Sequence, residues 1–261
     1  MNAFVMTAAE MNNLGVQLCS EGYLVNSFHT FKQTLVCLRQ GRLFPSHPRG
    51  RVKSEGLTAS SVVASSSSTA SRFEDFLLAE WSQPEAYYNS LLGIGFTTES
   101  RSFFFSEDVD RNHSICSAVA IFNMALVLQN MENEDAARLN LSHGRPRKLK
   151  SLYKLCVELI KNVREDDQNT NCTVCAVCDL IAMASLNNLI QLSTENQMQN
   201  VNEQAACVSL LLWFIQGIIL HSPYEGNREV TAPMENLANK FLVNAYCAVA
   251  IPMAKGAAPA A

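Results

Sequence analysis

Charge is scarce in this chain. Asp, Glu, Lys and Arg make up 17% of its 261 residues, against about 25% in an ordinary soluble domain. The net charge is −4, so nothing global favours nucleic acid, and only a local patch could serve that purpose. The longest apolar block, Cys207 to Leu220, falls short of the ~20 residues that cross a bilayer. It reads as a buried core helix, with a peripheral membrane role for residues 207–220 as its rival, and no membrane partner is expected. Met1-Asn2-Ala3-Phe4-Val5 has neither the basic residues nor the apolar run of a secretory or transit signal. Nine cysteines, an odd number without such a leader, predict free and mostly buried thiols in a reducing compartment, the cytoplasm.

Catalytic signatures are also missing. No nucleophile elbow, phosphate loop or dinucleotide fingerprint occurs, and Gly93-Ile94-Gly95 is too short to count as one. No two of the five histidines, His29, His47, His113, His143 and His221, stand three or four apart, so no helical metal pair forms. Cys172, Cys175 and Cys178 have the spacing that opens an iron–sulfur run. Ala182 stands where the fourth ligand belongs, and paired zinc knuckles are absent. Buried thiols on one helix face are the expected reading, with a metal or redox role as its rival. No cofactor is expected. Asn112-His113-Ser114, Asn140-Leu141-Ser142 and Asn171-Cys172-Thr173 match glycosylation sequons, which a chain without a leader does not use.

What the sequence does contain is helical periodicity, interrupted once. Met11, Leu14, Leu18 and Val25, then Phe28, Phe31, Leu35 and Leu38, recur at helical spacing. Thr7 to Glu10 reads as a capping box, Gly22 as a left-handed turn between two helices, and Gly41 as a stop. Pro45, Pro48, Gly50, Gly56 and the run Ser65 to Ser68 predict a flexible linker over 41–72. Residues 73–113 are irregular. Phe103-Phe104-Phe105 suits either an extended segment packed across helices or a strand pair. Helices follow over 114–131, 147–164, 173–194 and 203–221, with a stripe of Leu149, Leu152, Tyr153, Cys156, Leu159 and Ile160 in the second of these. A last helix starts near Thr231 and Pro233, and a disordered tail covers 252–261. The expected organisation is all-α: a first helical hairpin over 1–40, then a helical array over 114–251.

Arg145-Pro146-Arg147-Lys148-Leu149-Lys150 is the one basic cluster. It reads as a solvated helix start, although basic residues at a helix N-terminus oppose its dipole. Phosphate binding or nuclear import remains open for it.

Three stretches share a small pattern. They are Met11-Asn12-Asn13-Leu14-Gly15-Val16, Phe122-Asn123-Met124-Ala125-Leu126 and Leu186-Asn187-Asn188-Leu189-Ile190-Gln191. Self-similarity of this kind points to stacked helical hairpins, each covering its neighbour's apolar face. Small residues such as Gly15 and Ala125 let a neighbouring helix approach, while Leu14, Phe31, Met124 and Tyr153 fill the space between helices.

The first unit resembles a tetratricopeptide repeat. Leu14-Gly15 matches the family's central pair, Met11 and Leu18 replace its aromatics, and Ser27 and Phe31 take the small and aromatic places of the second helix. Arg39 stands where the family closes with Pro. Met124-Ala125 and Leu128 give a looser second unit, and Asn188-Leu189 a third. The chain is also similar to a large set of divergent repeat proteins of diatom algae. The resemblance implies a non-enzymatic scaffold or adaptor that binds other proteins in a groove lined by the first helix of each pair. The groove places would be Asn12, Val16, Cys19, Phe122, Leu126, Gln129, Asn187, Gln191 and Thr194. They are amide and apolar and hold no Lys or Arg, which predicts an apolar or amide-rich partner segment and speaks against capture of a peptide's terminal carboxylate.

Overall fold

The computed structural model describes residues 3–43, 109–139, 146–165, 173–195, 201–220 and 235–247. The predicted linker beyond residue 43, the irregular segment up to 108 and the predicted tail lie outside these residues. The described residues form seven helices and no strand. They are α1 (Ala3–Ser20), α2 (Leu24–Leu43), α3 (Val109–Leu139), α4 (Pro146–Glu165), α5 (Thr173–Glu195), α6 (Val201–Leu220) and α7 (235–247).

The turn between α1 and α2 follows from one residue. Gly22 has φ +85, a left-handed conformation that costs a side chain free energy. Around it, the Tyr23 amide donates to the Leu18 carbonyl at 2.8 Å and the Gly22 amide to the Cys19 carbonyl at 3.0 Å. This pair of bonds satisfies the last carbonyls of α1 and reverses the chain.

Hairpins then stack in sequence order. Each helix packs on the next, from α1 through α6, and α1 also packs on α3, and α3 on α5. No such contact joins α2 to α4 or α4 to α6. The array therefore has two rows. The inner row is α1, α3 and α5, with neighbours touching. Asn244 of α7 reaches Asn187 of α5, which adds α7 to it. The outer row is α2, α4 and α6, whose backbones stand apart and which meet through side chains, Lys148 on Phe28 and Lys154 with Glu203.

Burial matches this arrangement. Every residue from Ala118 through Gln129 in α3 and from Cys178 through Ser193 in α5 is buried. Neither helix needs an amphipathic pattern, because apolar neighbours surround it. Residues 110–131 of α3 are long and apolar enough to cross a membrane, yet 78% of that window is buried inside the fold. The outer helix α4 is amphipathic as its stripe predicts. Leu149, Tyr153, Cys156 and Ile160 are fully buried, and Leu152 and Leu159 are half-buried.

Several boundaries differ from the sequence expectation. Helix α1 begins at Ala3, so Thr7 lies within the helix and does not cap it; starting a turn earlier buries Val5. Helix α2 runs through Gly41 to Leu43. A Cβ on Gly41 would lie 2.7 Å from Phe4 Cβ and 2.9 Å from His113 Nε2, so this glycine serves close packing rather than a stop. Helix α3 starts at Val109 and continues to Leu139. Asp110 suits its first turn, and the stretch Met131 to Leu139 contains good helix formers and no Gly or Pro. Leu14 is 50% exposed and does not fill an inter-helix space. Phe31, Met124 and Tyr153 are buried as expected.

Candidate functional site

The repeated asparagines meet inside the inner row. Asn123 Nδ2 of α3 donates to Asn12 Oδ1 of α1 at 3.0 Å. Asn244 Nδ2 of α7 donates to Asn187 Oδ1 of α5 at the same 3.0 Å. The register is shared: the acceptor is the residue before the repeat's Asn-Leu in one unit, and the donor is the Asn of the next unit. Phe122 occupies the acceptor place in the second unit, so Asn188 of the third finds another partner. Its Nδ2 donates to Tyr153 Oη of α4 at 3.0 Å, and Tyr153 Oη donates to Gln129 Oε1 of α3 at 2.8 Å. With Asn187 Nδ2 donating to Asn188 Oδ1 at 3.2 Å, five residues form one donor-to-acceptor relay across α7, α5, α4 and α3. Bonds in such a chain polarise one another in the low-dielectric interior.

Most of the expected groove residues belong to this interior. Asn12, Phe122, Leu126, Gln129, Asn187 and Gln191 are all buried, while Val16, Cys19 and Thr194 are half-buried. Asn12 and Asn187 bond to asparagines of neighbouring helices, and Gln129 accepts from Tyr153. Asn123, Asn188, Asn244 and Tyr153 complete the network. The repeated Asn-Leu/Met pattern signals the first two. Asn244 sits in Val243-Asn244-Ala245, which lacks the following Leu or Met, and Tyr153 comes from the other row.

Burial pushes the thiols of Cys116 and Cys156 up to about 12, which removes the thiolate needed for nucleophilic or redox chemistry. Burial also raises the Asp179 carboxyl to about 7, against the pull of Arg164. Arg164 Nε lies 3.1 Å from Asp179 Oδ1, but Oδ1 has no aligned hydrogen bond, so this is an ion pair of poor geometry. Of the cysteine cluster, Cys178 is buried and forms no disulfide. Cys172 and the side chain of Cys175 lie outside what is described. Among the described residues, no group of three or more His, Cys, Asp or Glu side chains could hold a metal ion.

The outer row has a different character. Helix α2 contains Lys32, Arg39 and Arg42 and no carboxylate, and α4 has no acid before Glu158. Lys148, from the basic cluster, stands over the Phe28 ring at 5.3 Å from its centroid and bridges α4 to α2 by a cation–π contact. Lys154 pairs with Glu203 of α6, which holds the Glu203 carboxyl below its usual range.

Comparison with protein-family models, with curated proteins and with solved structures finds no match to this chain.

Proposed function

We propose that this chain is a non-enzymatic helical-repeat scaffold that binds other proteins, and that it is a divergent relative of the tetratricopeptide repeats. The observation that carries the reading is the two-row array, with touching inner helices and outer ones whose backbones stand apart. Such arrays offer long surfaces built from repeated units. The inner-row groove enters the proposal in reduced form. Val16 and Cys19, half-buried, stay within reach of a partner, whereas the six buried positions act as packing. A reducing compartment, cytoplasmic or nuclear, is part of the reading. It is supported by the free thiols of Cys19, Cys37, Cys116, Cys156, Cys178, Cys207 and Cys247.

The test is recovery of the protein under mild conditions, followed by size-exclusion chromatography with light scattering and cross-linking. A second polypeptide in fixed stoichiometry is expected. A chain recovered alone from every growth condition, or one that turns over a small molecule in an activity screen, ends the reading.

A further inference from the structure

A furrow lies between α2 and α4. Both helices pack on α3 and their backbones do not meet, while Lys148 reaches across from α4 to the Phe28 ring of α2. Its floor is apolar: Phe28, Leu35 and Leu152 are half-buried and rest on the buried cluster of Phe31, Met124 and Val127. Its rim is cationic. Lys32 and Arg39 are exposed on α2, and Lys148 is exposed on α4. Along α2 the order Phe28, Lys32, Leu35, Arg39 alternates apolar and basic side chains at spacings of four, three and four, which keeps them on one side of the helix.

We propose that this furrow is the docking site for an acidic amphipathic segment of a partner protein. The proposal rests on the scaffold reading and names its surface and its partner chemistry. The segment's apolar side chains would seat on Leu35 and Leu152, beside the Lys148–Phe28 contact, and its carboxylates would meet Lys32, Arg39 and Lys148. Charge complementarity supports this occupant. No carboxylate lies on α2, and Lys32 and Arg39 have no ion pair with any described acid. Lys32 and Arg39 stand about 10 Å apart along the helix axis, a separation that acids two turns apart on a partner helix reproduce. A nucleic acid fits less well, because its phosphates gain nothing from a half-buried apolar floor. A lipid surface would reach the rim but not a floor recessed between two helices.

The experiment is a fluorescence-anisotropy titration of the full chain with a panel of labelled amphipathic helical peptides. Their acidic positions are Glu, or Gln in the controls. A labelled DNA duplex and phosphatidylserine vesicles are titrated in parallel. Glu peptides should bind, and Gln peptides should bind at least about tenfold more weakly. Raising salt should weaken the complex as exposed charges are screened. The double reversal Lys32→Glu/Arg39→Glu, with its fold checked by circular dichroism, should weaken Glu-peptide binding at least about tenfold. Lys32→Ala/Arg39→Ala should act in the same direction, and Lys240→Glu on α7 should leave binding unchanged. The proposal is overturned if no Glu peptide binds, or if binding ignores both α2 double variants. It is also overturned if the duplex or the vesicles bind in an α2-dependent way while the peptides do not. A stoichiometric cellular partner whose binding ignores the reversal would sink the furrow and leave the scaffold reading standing.

Discussion

Gly15 and Gly41 lie inside helices because neighbouring side chains occupy the space of a Cβ. A Cβ on Gly15 would lie 2.6 Å from Phe31 Cε1, and Phe31 is fully buried, so the ring has nowhere to retreat. The Gly15 carbonyl also accepts from Ser27 Oγ at 2.7 Å, which fixes α2 against α1 at the point of contact. Gly15→Ala should therefore destabilise the fold by about 1–3 kcal/mol through overpacking, despite alanine's better helix propensity. Phe31→Leu in the same chain should restore part of the loss in a urea denaturation series; a stabilised single variant would contradict the contact. Asp179 gives a second prediction at this scale. Burial pushes its folded carboxyl up to about 7, well above the usual carboxylate range, so the folded state holds the proton more tightly than the unfolded one. Stability from this group is full below about pH 4, falls as pH rises through 7 and is flat above that. Asp179→Asn should flatten the melting temperature between these limits and melt at or above the parent at pH 8. A variant that melts lower at pH 8 would show that Arg164 stabilises the buried carboxylate more than burial penalises it.

At the level of elements, the relay through Tyr153 joins the two rows. Removing its hydroxyl leaves Gln129 Oε1 without the bond from Tyr153 and Asn188 Nδ2 without its acceptor, both in buried positions. The ring itself packs near Phe122, with centroids 6.1 Å apart, and that packing survives Tyr153→Phe. The variant should cost about 1–3 kcal/mol. A double-mutant cycle should show coupling with Asn188→Ala and near-additivity with Asn12→Ala, whose hydrogen bond with Asn123 lies outside the relay. Coupling of equal size to both would mean that the two hydrogen-bond groups form one network. This seam also explains what could be read from the sequence. The Asn-Leu/Met pattern marks the inner row, Gly22 the first turn, and the Leu149–Ile160 stripe the buried face of α4, because each reports a local requirement. Helix limits at Gly41 and Val109 and the exposure of Leu14 depend on which helix lies opposite, and the repeat pattern carries no such information. The burial of the expected groove positions has the same origin. Spacing assigns Asn12 and Asn187 to a helix face, and only the tertiary arrangement shows that the face is closed by neighbouring asparagines.

For the whole molecule, the two-row arrangement sets an order of stability. In a linear array each unit is held by its neighbours. Among the described residues, α3 is covered by α1, α2, α4 and α5, and α5 by α3, α4 and α6, with α7 reaching it through Asn244. By contrast, α1 packs only on α2 and α3, and its exposed side includes Met6 and Leu14. On α7, Leu242, Val243 and Tyr246 are exposed, the last at 74%. Local opening follows buried contact, so the ends should open at lower free energy than the middle. In native-state hydrogen exchange, amides of 118–129 and 178–193 should be the slowest and approach the global unfolding free energy. Those of α1, α2 and α7 should exchange earlier, through partial opening. The two ends should also open independently, because α1 and α2 pack on α3 while α7 is tied to α5 through Asn244. Asn244→Leu should then speed exchange in α7 and in the half of α5 around Asn187, with α1 and α2 unchanged. Uniform protection across all seven helices, or a response of α1 to the α7 variant, would indicate a single cooperative unit in place of a linear array.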